Sequence, residues 1–388
     1  MKNSIALDDI LNLVREISLK ELAPRAEEID NTGRWPEKSL RVLQEAGLGG
    51  LAIPLALGGH GHGMLGVAKV CEILGRECAS TAMCFGMHLV GSAVLAAKAT
   101  PEQQQKFLNP ITEGKHLTTL SLSEPGTGAN FYIPQTELSK KDNGSYILNG
   151  TKSFVTSGGY ADSYVVSAVV PEPKTPVGQF SCVVVPNNSD GMQWKQPWQG
   201  IGMKGNSSRN VELKELEIPA SHLLGEQGDQ IWYVFEIVVP YFLMAMAGTY
   251  LGIAGAAIAE ATEHLKNRTY SHSGSSLAHL PVVQHSLGTL WAKVESVRQL
   301  FYSAAISGDT GRPETLLSLF SAKAEVSDTV VLVVNEVMSL MGGIAYAKDA
   351  KLSRHLRDAR AAHIMAPTTN MLRTWTGRAL LDIPLLGD

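Results

Sequence analysis

Residues 120–130 read LSLSEPGTGAN, and residues 149–166 read NGTKSFVTSGGYADSYVV. The Ser-Glu-Pro-Gly sequence of the first stretch favours a β-turn, and Asn149-Gly150 in the second is typical of a tight hairpin turn. Runs with the residue types of β-strands surround both stretches, namely SYIL, TKSFV, SYVVSAVV, FSCVVV and NVELKEL. The sequence therefore predicts a β-domain at residues 117–224, with a hairpin turn at Asn149-Gly150.

The chain on both sides of this β-domain has the apolar spacing of helices. Residues 5–116 follow a helical pattern, and Thr100-Pro101 is a typical helix start. Further long helices are predicted at residues 244–267, 282–307, 313–341 and 347–363. With 388 residues, the chain exceeds the usual size of one hydrophobic core. We therefore predict a multidomain α and β protein, with an α-helical domain at 1–116, the β-domain at 117–224 and an α-helical domain at 225–388.

Charge and hydropathy exclude several classes of protein. The formal net charge is -4 with acids and bases interspersed, which argues against a nucleic-acid partner. The longest apolar run, near residues 234–247, contains Glu236 and Pro240 and is predicted to be too short to span a membrane. Residues 1–20 carry acids in an amphipathic pattern and lack the features of a secretory signal. A cytoplasmic, soluble protein without a membrane span is expected.

The cysteines and a glycine-histidine loop do not indicate a metal or nucleotide site. Cys71, Cys78, Cys84 and Cys182 form no CxxC pair and lie in apolar segments, so buried free thiols are predicted. Residues 61–66, GHGMLG, match GxGxxG, but neither a strand-helix-strand pattern nor a suitably placed acid accompanies them. The neighbouring pair His60 and His62 lacks a carboxylate or cysteine partner, so ordinary loop histidines are expected.

The stretches at 120–130 and 149–166 resemble the middle domain of the acyl-CoA dehydrogenase family. These flavoproteins remove hydrogen from the α and β carbons of an acyl thioester. IPLALGGHGHG is similar to the family's Pro-x-x-x-Gly-Gly-x-Gly loop, and RHLRDARAAHIMAPTTNML matches its C-terminal segment. The resemblance covers nearly the whole chain. It implies an α-helical N-terminal domain, a middle β-domain and a C-terminal four-helix bundle that supplies the interface of a homodimer or homotetramer.

The resemblance also implies that FAD binds in the cleft between the middle and C-terminal domains. Leu120, Leu122 and Ser123 would form the first strand against the flavin edge. Phe154 stands at the family's usual tryptophan, and Thr156 stands at its hydroxyl donor to the ring. Protein groups of this kind tune a flavin whose ring carries the redox chemistry.

The rest of the implied cofactor site follows the family pattern only in part, since Arg268, Gly342, Gly343 and Thr368 match it. Its residues are Ala129, Arg268, Ser339, Gly342, Gly343 and Thr368. Ala129 replaces a serine, Ser339 replaces a glutamine, and YSHSGSS follows Arg268 where the family has Phe-Gly. These departures predict weaker binding of the adenine half. Taken without the resemblance, Arg268 would be a surface cation at a helix end, and the two glycines would be a helix stop.

The proton acceptor that the family uses is missing. Ala366 stands where the family carries its catalytic glutamate, and the family's second location for this acid is occupied by Tyr241 and Phe242. His363 lies one helical turn before Ala366 and has a suitable pKa range, although a structural role is the alternative. Tyr241 is a poor base but could orient a substrate oxygen, unless it only packs against other aromatic residues. Glu236 is a further candidate, unless it belongs to a solvated helix face.

Three functions remain open from the sequence. The first is an FAD-dependent oxidoreductase that acts on an acyl thioester of CoA or of an acyl carrier protein, with a non-standard proton acceptor and a flavin electron acceptor as partner. The second is a flavin-dependent monooxygenase on the same fold. The third is a non-catalytic flavin-binding homologue. A purified protein without yellow flavin would favour a non-catalytic, partner-binding form of the third function, and anaerobic bleaching by a thioester would separate the first from the second.

Overall fold

A computed structural model describes residues 5–170 and 180–386, and its chain runs from helices to a sheet and back to helices. The change from helix to strand falls between residues 112 and 118, and the last strand ends at Leu224. The predicted order of helical, β and helical parts is confirmed. The apolar side chains of all three parts pack into one continuous core.

From residue 5 onward, the described N-terminal part contains seven α-helices, several of them short, together with 3-10 and π-helical turns. They are α1 (Leu7–Ile17), α2 (Ala26–Thr32), α3 (Glu37–Glu45), α4 (Gly63–Glu77), α5 (Ala79–Ala97), α6 (Pro101–Gln103) and α7 (Asn109–Thr112). As predicted, a helix begins after Thr100, whose hydroxyl accepts from the Gln103 amide at 3.2 Å. Almost every residue of α5 is buried, because this apolar helix lies between the other helices and the sheet.

The described residues of the middle part, 118–170 and 180–224, form a sheet of eight strands. They are β1 (Thr118–Ser121), β2 (Glu137–Lys140), β3 (Tyr146–Val155), β4 (Ser163–Val169), β5 (Phe180–Pro186), β6 (Met192–Pro197), β7 (Arg209–Ile218) and β8 (Leu223–Leu224). The strand order is β6-β7-β3-β2-β4-β5-β8, and β1 pairs in parallel with β4. Strands β4 and β5 are buried on both faces, which explains their nearly unbroken apolar sequences.

The predicted hairpin turn at Asn149-Gly150 is wrong, because β3 runs straight through both residues. Strand β3 pairs with β2 on one side and with β7 on the other, and a bulge lies opposite this dipeptide. The Asn149 side chain accepts from the Glu215 amide at 2.8 Å and donates to its carboxylate at 2.7 Å. A side chain at Gly150 would collide with Thr136. Pairing on both sides thus overrides the local turn preference of Asn-Gly.

The C-terminal part is a bundle of long helices with shorter ones beside it. The helices are α8 (Gln230–Trp232), α9 (Val239–Asn267), α10 (Pro281–Thr310), α11 (Thr315–Met341), α12 (Lys351–Ala359), α13 (Ala361–Ile364) and α14 (Thr369–Leu380). Helices α9, α10, α11 and α14 form the four-helix bundle that the resemblance implied. Helix α9 also packs closely on α4, where a Cβ at Gly252 would lie 2.2 Å from the carbonyl oxygen of Glu72. This contact joins the two helical parts.

Two helical segments are long and apolar enough to cross a membrane by length and composition, namely Ala79–Ala97 and Gln230–Asn267. The second is longer than the sequence analysis predicted, since π-helical turns at Tyr233–Val238 join α8 to α9. Both segments lie inside the protein: all of the apolar window of the first and 83% of that of the second are buried. Their hydropathy is therefore explained by burial in the core.

The surroundings of the cysteines and of the loop histidines are those of ordinary structural residues. All four cysteines are buried free thiols, as predicted. The ring of His60 is hydrogen-bonded to the Gly47 carbonyl oxygen at 3.0 Å, and the ring of His62 to that of Ile5 at 2.8 Å. Within residues 5–170 and 180–386, no group of three or more histidine, cysteine or acidic side chains could hold a metal ion.

Candidate active site

A buried ion pair joins the two stretches that carry the family resemblance, residues 120–130 and residues 149–166. The Lys152 ammonium group lies 2.6 Å from the Glu124 carboxylate, and both side chains are almost completely buried. Lys152 also donates to the Leu122 carbonyl oxygen and to the Ser167 hydroxyl, at 3.3 and 3.0 Å. Glu124 in turn accepts from the Thr136 amide at 3.1 Å. No local feature of the sequence singles out Lys152, and only the fold brings it to Glu124.

Phe154 is held in an unusual conformation beside this pair. Its φ angle is +54°, a left-handed value that is rare for a bulky residue, and its side chain is 60% exposed. The ring packs edge-on against Trp198 with a centroid distance of 5.8 Å. Strained, exposed aromatic residues of this kind are concentrated at functional sites. Phe154 and Trp198 therefore offer the aromatic wall that a flavin ring requires.

Polar and apolar groups suited to a flavin lie around this wall. Among the described residues, the hydroxyl groups of Ser123 and Thr156 have no hydrogen-bond partner. Leu120 and Leu122 are buried and provide an apolar surface. The turn after Thr156 is fixed by Trp35, whose indole N–H donates to the Ser157 hydroxyl at 3.1 Å. Free hydroxyl donors, an apolar strand and an aromatic wall together fit an isoalloxazine ring.

The Arg357-Asp358 pair joins the three parts of the chain near this site. The Arg357 guanidinium group donates to Asp30 at 2.8 Å and to the Ile201 carbonyl oxygen at 2.9 Å. The Asp358 carboxylate accepts from the Met203 amide at 2.5 Å, and burial raises its pKa to about 6. These bonds place α12 against the loop that follows Trp198. The segment that leads to Ala366 is thereby fixed to the β-domain.

Ala366 lies in a short loop between α13 and α14. Its side chain is half-buried and has no proton-accepting atom. The buried Lys323 amine donates to the carbonyl oxygens of Ala362 and Pro367, at 2.8 and 3.1 Å. Thr368 is the N-cap of α14, and its hydroxyl accepts from the Met371 amide at 3.3 Å. The Thr368 O–H group can still donate to a cofactor.

His363 has partners at both ring nitrogens. Nε2 lies 2.8 Å from the Asp328 carboxylate, and Nδ1 lies 2.5 Å from the Arg360 guanidinium group. Because Arg360 can only donate, Nδ1 is the acceptor and Nε2 carries the proton. Asp328 also accepts from Arg373 at 2.5 Å. In this arrangement the lone pair of His363 is already used, which favours the structural role.

Tyr241 and Glu236 have different surroundings. Burial and the nearby Asp309 carboxylate raise the pKa of Tyr241 to about 12, so its phenol stays protonated at neutral pH. Asp309 itself accepts from the Met64 and Leu65 amides and caps α4. Glu236 is exposed on the π-helical turns before α9. Tyr241 can therefore act as a hydrogen-bond donor, whereas Glu236 is an acid surrounded by solvent.

The residues that the resemblance assigned to the rest of FAD lie mainly on the surface. Arg268, Ser339, Gly342 and Gly343 are exposed on the C-terminal part, and Ala129 is half-buried in the turn after β1. Gly342 has a φ angle of +72°, and a Cβ at either glycine would have open space around it. The backbone at this pair is thus accessible to a bound molecule or a second chain.

The chain is similar in sequence to known protein domains over most of its length. Three acyl-CoA dehydrogenase domain families match it: the N-terminal domain at residues 6–115, the middle domain at 119–216 and the C-terminal domain at 241–381. Cyclohex-1-ene-1-carbonyl-CoA dehydrogenase of Geobacter metallireducens is 31% identical over 372 residues, which cover 96% of this chain and 97% of that protein. The chain belongs to the acyl-CoA dehydrogenase family.

Solved structures agree with this assignment. Butyryl-CoA dehydrogenase from Megasphaera elsdenii superposes with a TM-score of 0.91 at 28% identity, covering 98% of this chain and 100% of that one. The prolyl acyl carrier protein oxidase AnaB, at 21% identity, shares the fold with a TM-score of 0.88 and covers 96% and 98% of the two chains. Family membership makes this chain an FAD-dependent flavoprotein of the oxidoreductase class, and the residues around Phe154 fit that cofactor.

Proposed function

We propose that the protein is an FAD-dependent oxidoreductase acting on an acyl thioester of CoA or of an acyl carrier protein, with a proton acceptor other than the family's glutamate. The observation that carries the proposal is that the aromatic wall for a flavin is present at Phe154 while position 366 is an alanine. The two related dehydrogenases named above are a cyclohex-1-ene-1-carbonyl-CoA and a butyryl-CoA dehydrogenase, and AnaB is a prolyl acyl carrier protein oxidase.

The proposed reaction removes a proton from the α carbon and a hydride from the β carbon of the acyl group. When bound, FAD supplies the hydride acceptor. Leu120, Leu122 and Phe154 would hold the ring, while Ser123 and Thr156 would donate to it. Arg268, Ser339, Gly342 and Gly343 would meet the rest of a cofactor across a subunit interface. A flavin electron acceptor would then regenerate the oxidised protein.

The proton acceptor is proposed to be His363, assisted by Tyr241. Arg360 is exposed, so its rotation away from Nδ1 would free the only lone pair of His363. The remaining bond to Asp328 would then stabilise the imidazolium form, as a carboxylate partner does in other histidine bases. Tyr241, with its raised pKa, would orient a substrate oxygen as a donor. Glu236 remains a weaker proposal, because solvent surrounds its carboxylate.

The second candidate is a flavin-dependent monooxygenase, and one observation favours it. Neither position at which the family carries its acid has a carboxylate in this chain. Oxygen chemistry at a reduced flavin would not need a base at the α carbon. A non-catalytic flavin-binding role is consistent with the same observation.

An anaerobic titration tests these functions. We expect purified protein to be yellow and to lose its flavin absorbance slowly when a suitable CoA or carrier-protein thioester is added without oxygen. A yellow protein that no thioester bleaches, but that transfers an oxygen atom from O2 to an organic substrate when its flavin is reduced, would support the monooxygenase instead. A protein that binds FAD and does neither would support the non-catalytic role.

The C-terminal part exposes several large apolar side chains, which suits self-association. Trp291 on α10 is 58% exposed, and Tyr346 after α11 is 80% exposed. Other exposed apolar residues of this part are Val282, Leu332, Ile344 and Leu381. Large apolar patches on a soluble surface mark interaction sites, and closed symmetric assemblies are the usual result. We propose a homodimer or homotetramer formed through these side chains.

Light scattering tests the assembly. We expect a mass of two or four times the 41.7 kDa of one chain. The substitution Trp291→Arg should shift the mass toward that of a single chain, because a buried guanidinium group without a partner opposes association. Leu55→Arg, at an exposed apolar position of the N-terminal part, is the matched control and should leave the mass unchanged. A monomeric wild-type protein at working concentration would contradict the proposal.

A further inference from the structure

Lys323 is a fully buried lysine that binds backbone rather than an acid. Its side chain lies on α11, and its amine donates to the carbonyl oxygens of Ala362 and Pro367 at 2.8 and 3.1 Å. Among the described residues it has no carboxylate within ion-pair distance. Burying a cation without a counter-charge is costly, so the two carbonyl contacts are the compensation that the fold provides.

The two carbonyl groups lie on either side of position 366. Ala362 belongs to α13 and Pro367 follows Ala366 directly, so one amine holds both ends of the intervening loop. The backbone before the loop is held through Arg357 and Asp358, and the backbone after it is held by the Thr368 cap. Lys323 thus holds the backbone between these two attachments, at Ala362 and Pro367.

The charged side chains around Lys323 form a network of ion pairs and hydrogen bonds closer to the protein surface. Asp328 lies on the same helix and is bound by His363 of α13 and Arg373 of α14. Arg373 also contacts Glu325, and Arg360 contacts His363. Burial lowers the pKa of Lys323 to about 8, and the field of Asp328 opposes this change. A neutral amine keeps two N–H groups, so both carbonyl bonds can persist above that pH.

We propose that Lys323 is a positioning residue for the reaction: by holding the Ala362 and Pro367 carbonyl groups, it sets where the intervening segment, with His363 and position 366, stands relative to the thioester. This inference rests on the proposed function, because it assigns a catalytic purpose to the loop. Displacement of a reacting group by about 1 Å can cost roughly a hundredfold in rate. Loss of the amine should therefore lower turnover without removing any group that touches the substrate.

Hydrogen–deuterium exchange tests the structural step independently of activity. In Lys323→Met, amides of residues 361–371 should exchange at least tenfold faster than in the wild type, while the amides of β4 and β5 keep their rates. Lys140→Met, at an exposed lysine of β2, is the matched control and should change neither region. Unchanged exchange in residues 361–371 of a folded Lys323→Met protein would overturn the proposal.

The catalytic step is tested in the Ala366→Glu background, in which a carboxylate is present on the loop. Adding Lys323→Met should slow anaerobic bleaching by a short acyl-CoA roughly a hundredfold. It should also move the acidic limb of the pH-rate profile to higher pH by about one unit or more. The sign follows because a nearby ammonium group favours the charged carboxylate, and its loss raises the pKa of the introduced acid. A loop that was merely loosened would not move this limb.

Lys323→Gln separates the donor from the charge, since its amide keeps two N–H groups without a positive charge. We expect it to restore part of the rate lost in Lys323→Met but not the position of the acidic limb. Equal rates and limbs with and without Lys323 would overturn the positioning role. Complete failure of Ala366→Glu to bleach with any thioester would instead contradict the proposed function, and the exchange rates would still decide whether Lys323 holds the loop.

Discussion

The substitution Ala366→Glu is expected to raise the rate at which a short acyl-CoA bleaches the flavin by roughly a hundredfold to ten-thousandfold. The reason is that abstraction of the α proton needs a general base, and the alanine side chain has no atom that can accept a proton. The backbone at this position is already held through Lys323 and the Thr368 cap. The measurement is anaerobic stopped-flow absorbance of the flavin, with wild type and variant at equal FAD content.

Two variants serve as controls for this prediction. Ile364→Glu adds the same charge to the same segment at an exposed position, and it should leave the bleaching rate unchanged. His363→Ala should slow the wild-type protein if His363 is its proton acceptor, but it should have little effect once the glutamate is present. If a short acyl-CoA already bleaches the wild-type flavin at a rate that neither Ala366→Glu nor His363→Ala changes, the proton acceptor lies elsewhere.

The substitution Lys152→Met is expected to lower the free energy of unfolding by roughly 3–5 kcal/mol, the usual cost of leaving one member of a buried ion pair alone. The Glu124 carboxylate would keep its hydrogen bonds from Thr136 but lose the cation 2.6 Å away. Since the pair also fixes the Leu122 carbonyl group beside the flavin wall, bound FAD should be lost with it. Urea denaturation and the ratio of flavin to protein absorbance measure the two effects.

A surface pair provides the comparison. Lys141 and Glu217 are 2.9 Å apart but remain nearly half exposed, so Lys141→Met should cost no more than about 1 kcal/mol. The double variant Glu124→Gln with Lys152→Met should regain part of the stability lost by Lys152→Met, because no buried charge is then left alone. A Lys152→Met protein as stable as Lys141→Met would mean that the pair does not hold this part of the fold.

Much of the fold could be predicted because it follows from local patterns. The long C-terminal helices are close to their predicted positions, since helical apolar spacing extends over many turns. Strands β4 and β5 were identified from continuous apolar runs. The short strands β2, β6 and β8 were missed, because only pairing with neighbouring strands makes them extended. The Asn149-Gly150 hairpin was wrong for the same reason.

The candidate site was predictable only where its residues are close in sequence. Phe154, Thr156 and Ser123 belong to two continuous stretches whose order and spacing resemble a known family. Lys152 lies within one of these stretches, yet nothing local shows that it meets Glu124. Lys323 lies more than thirty residues before the loop that it holds, and nothing in the sequence of its helix indicates this contact. Contacts at such separations leave no periodic signal.

The order of helical and β parts, the family resemblance and the lack of a carboxylate at position 366 are all visible in the amino-acid sequence. These properties depend on residue identity, on local spacing or on apolar periodicity, all of which are written along the chain. Three contacts become visible only in the folded chain: Glu124 pairs with Lys152, His363 lies between Asp328 and Arg360, and Lys323 holds the loop around Ala366. Packing between elements that are far apart along the chain brings these groups together, and the surroundings that this packing creates decide their roles.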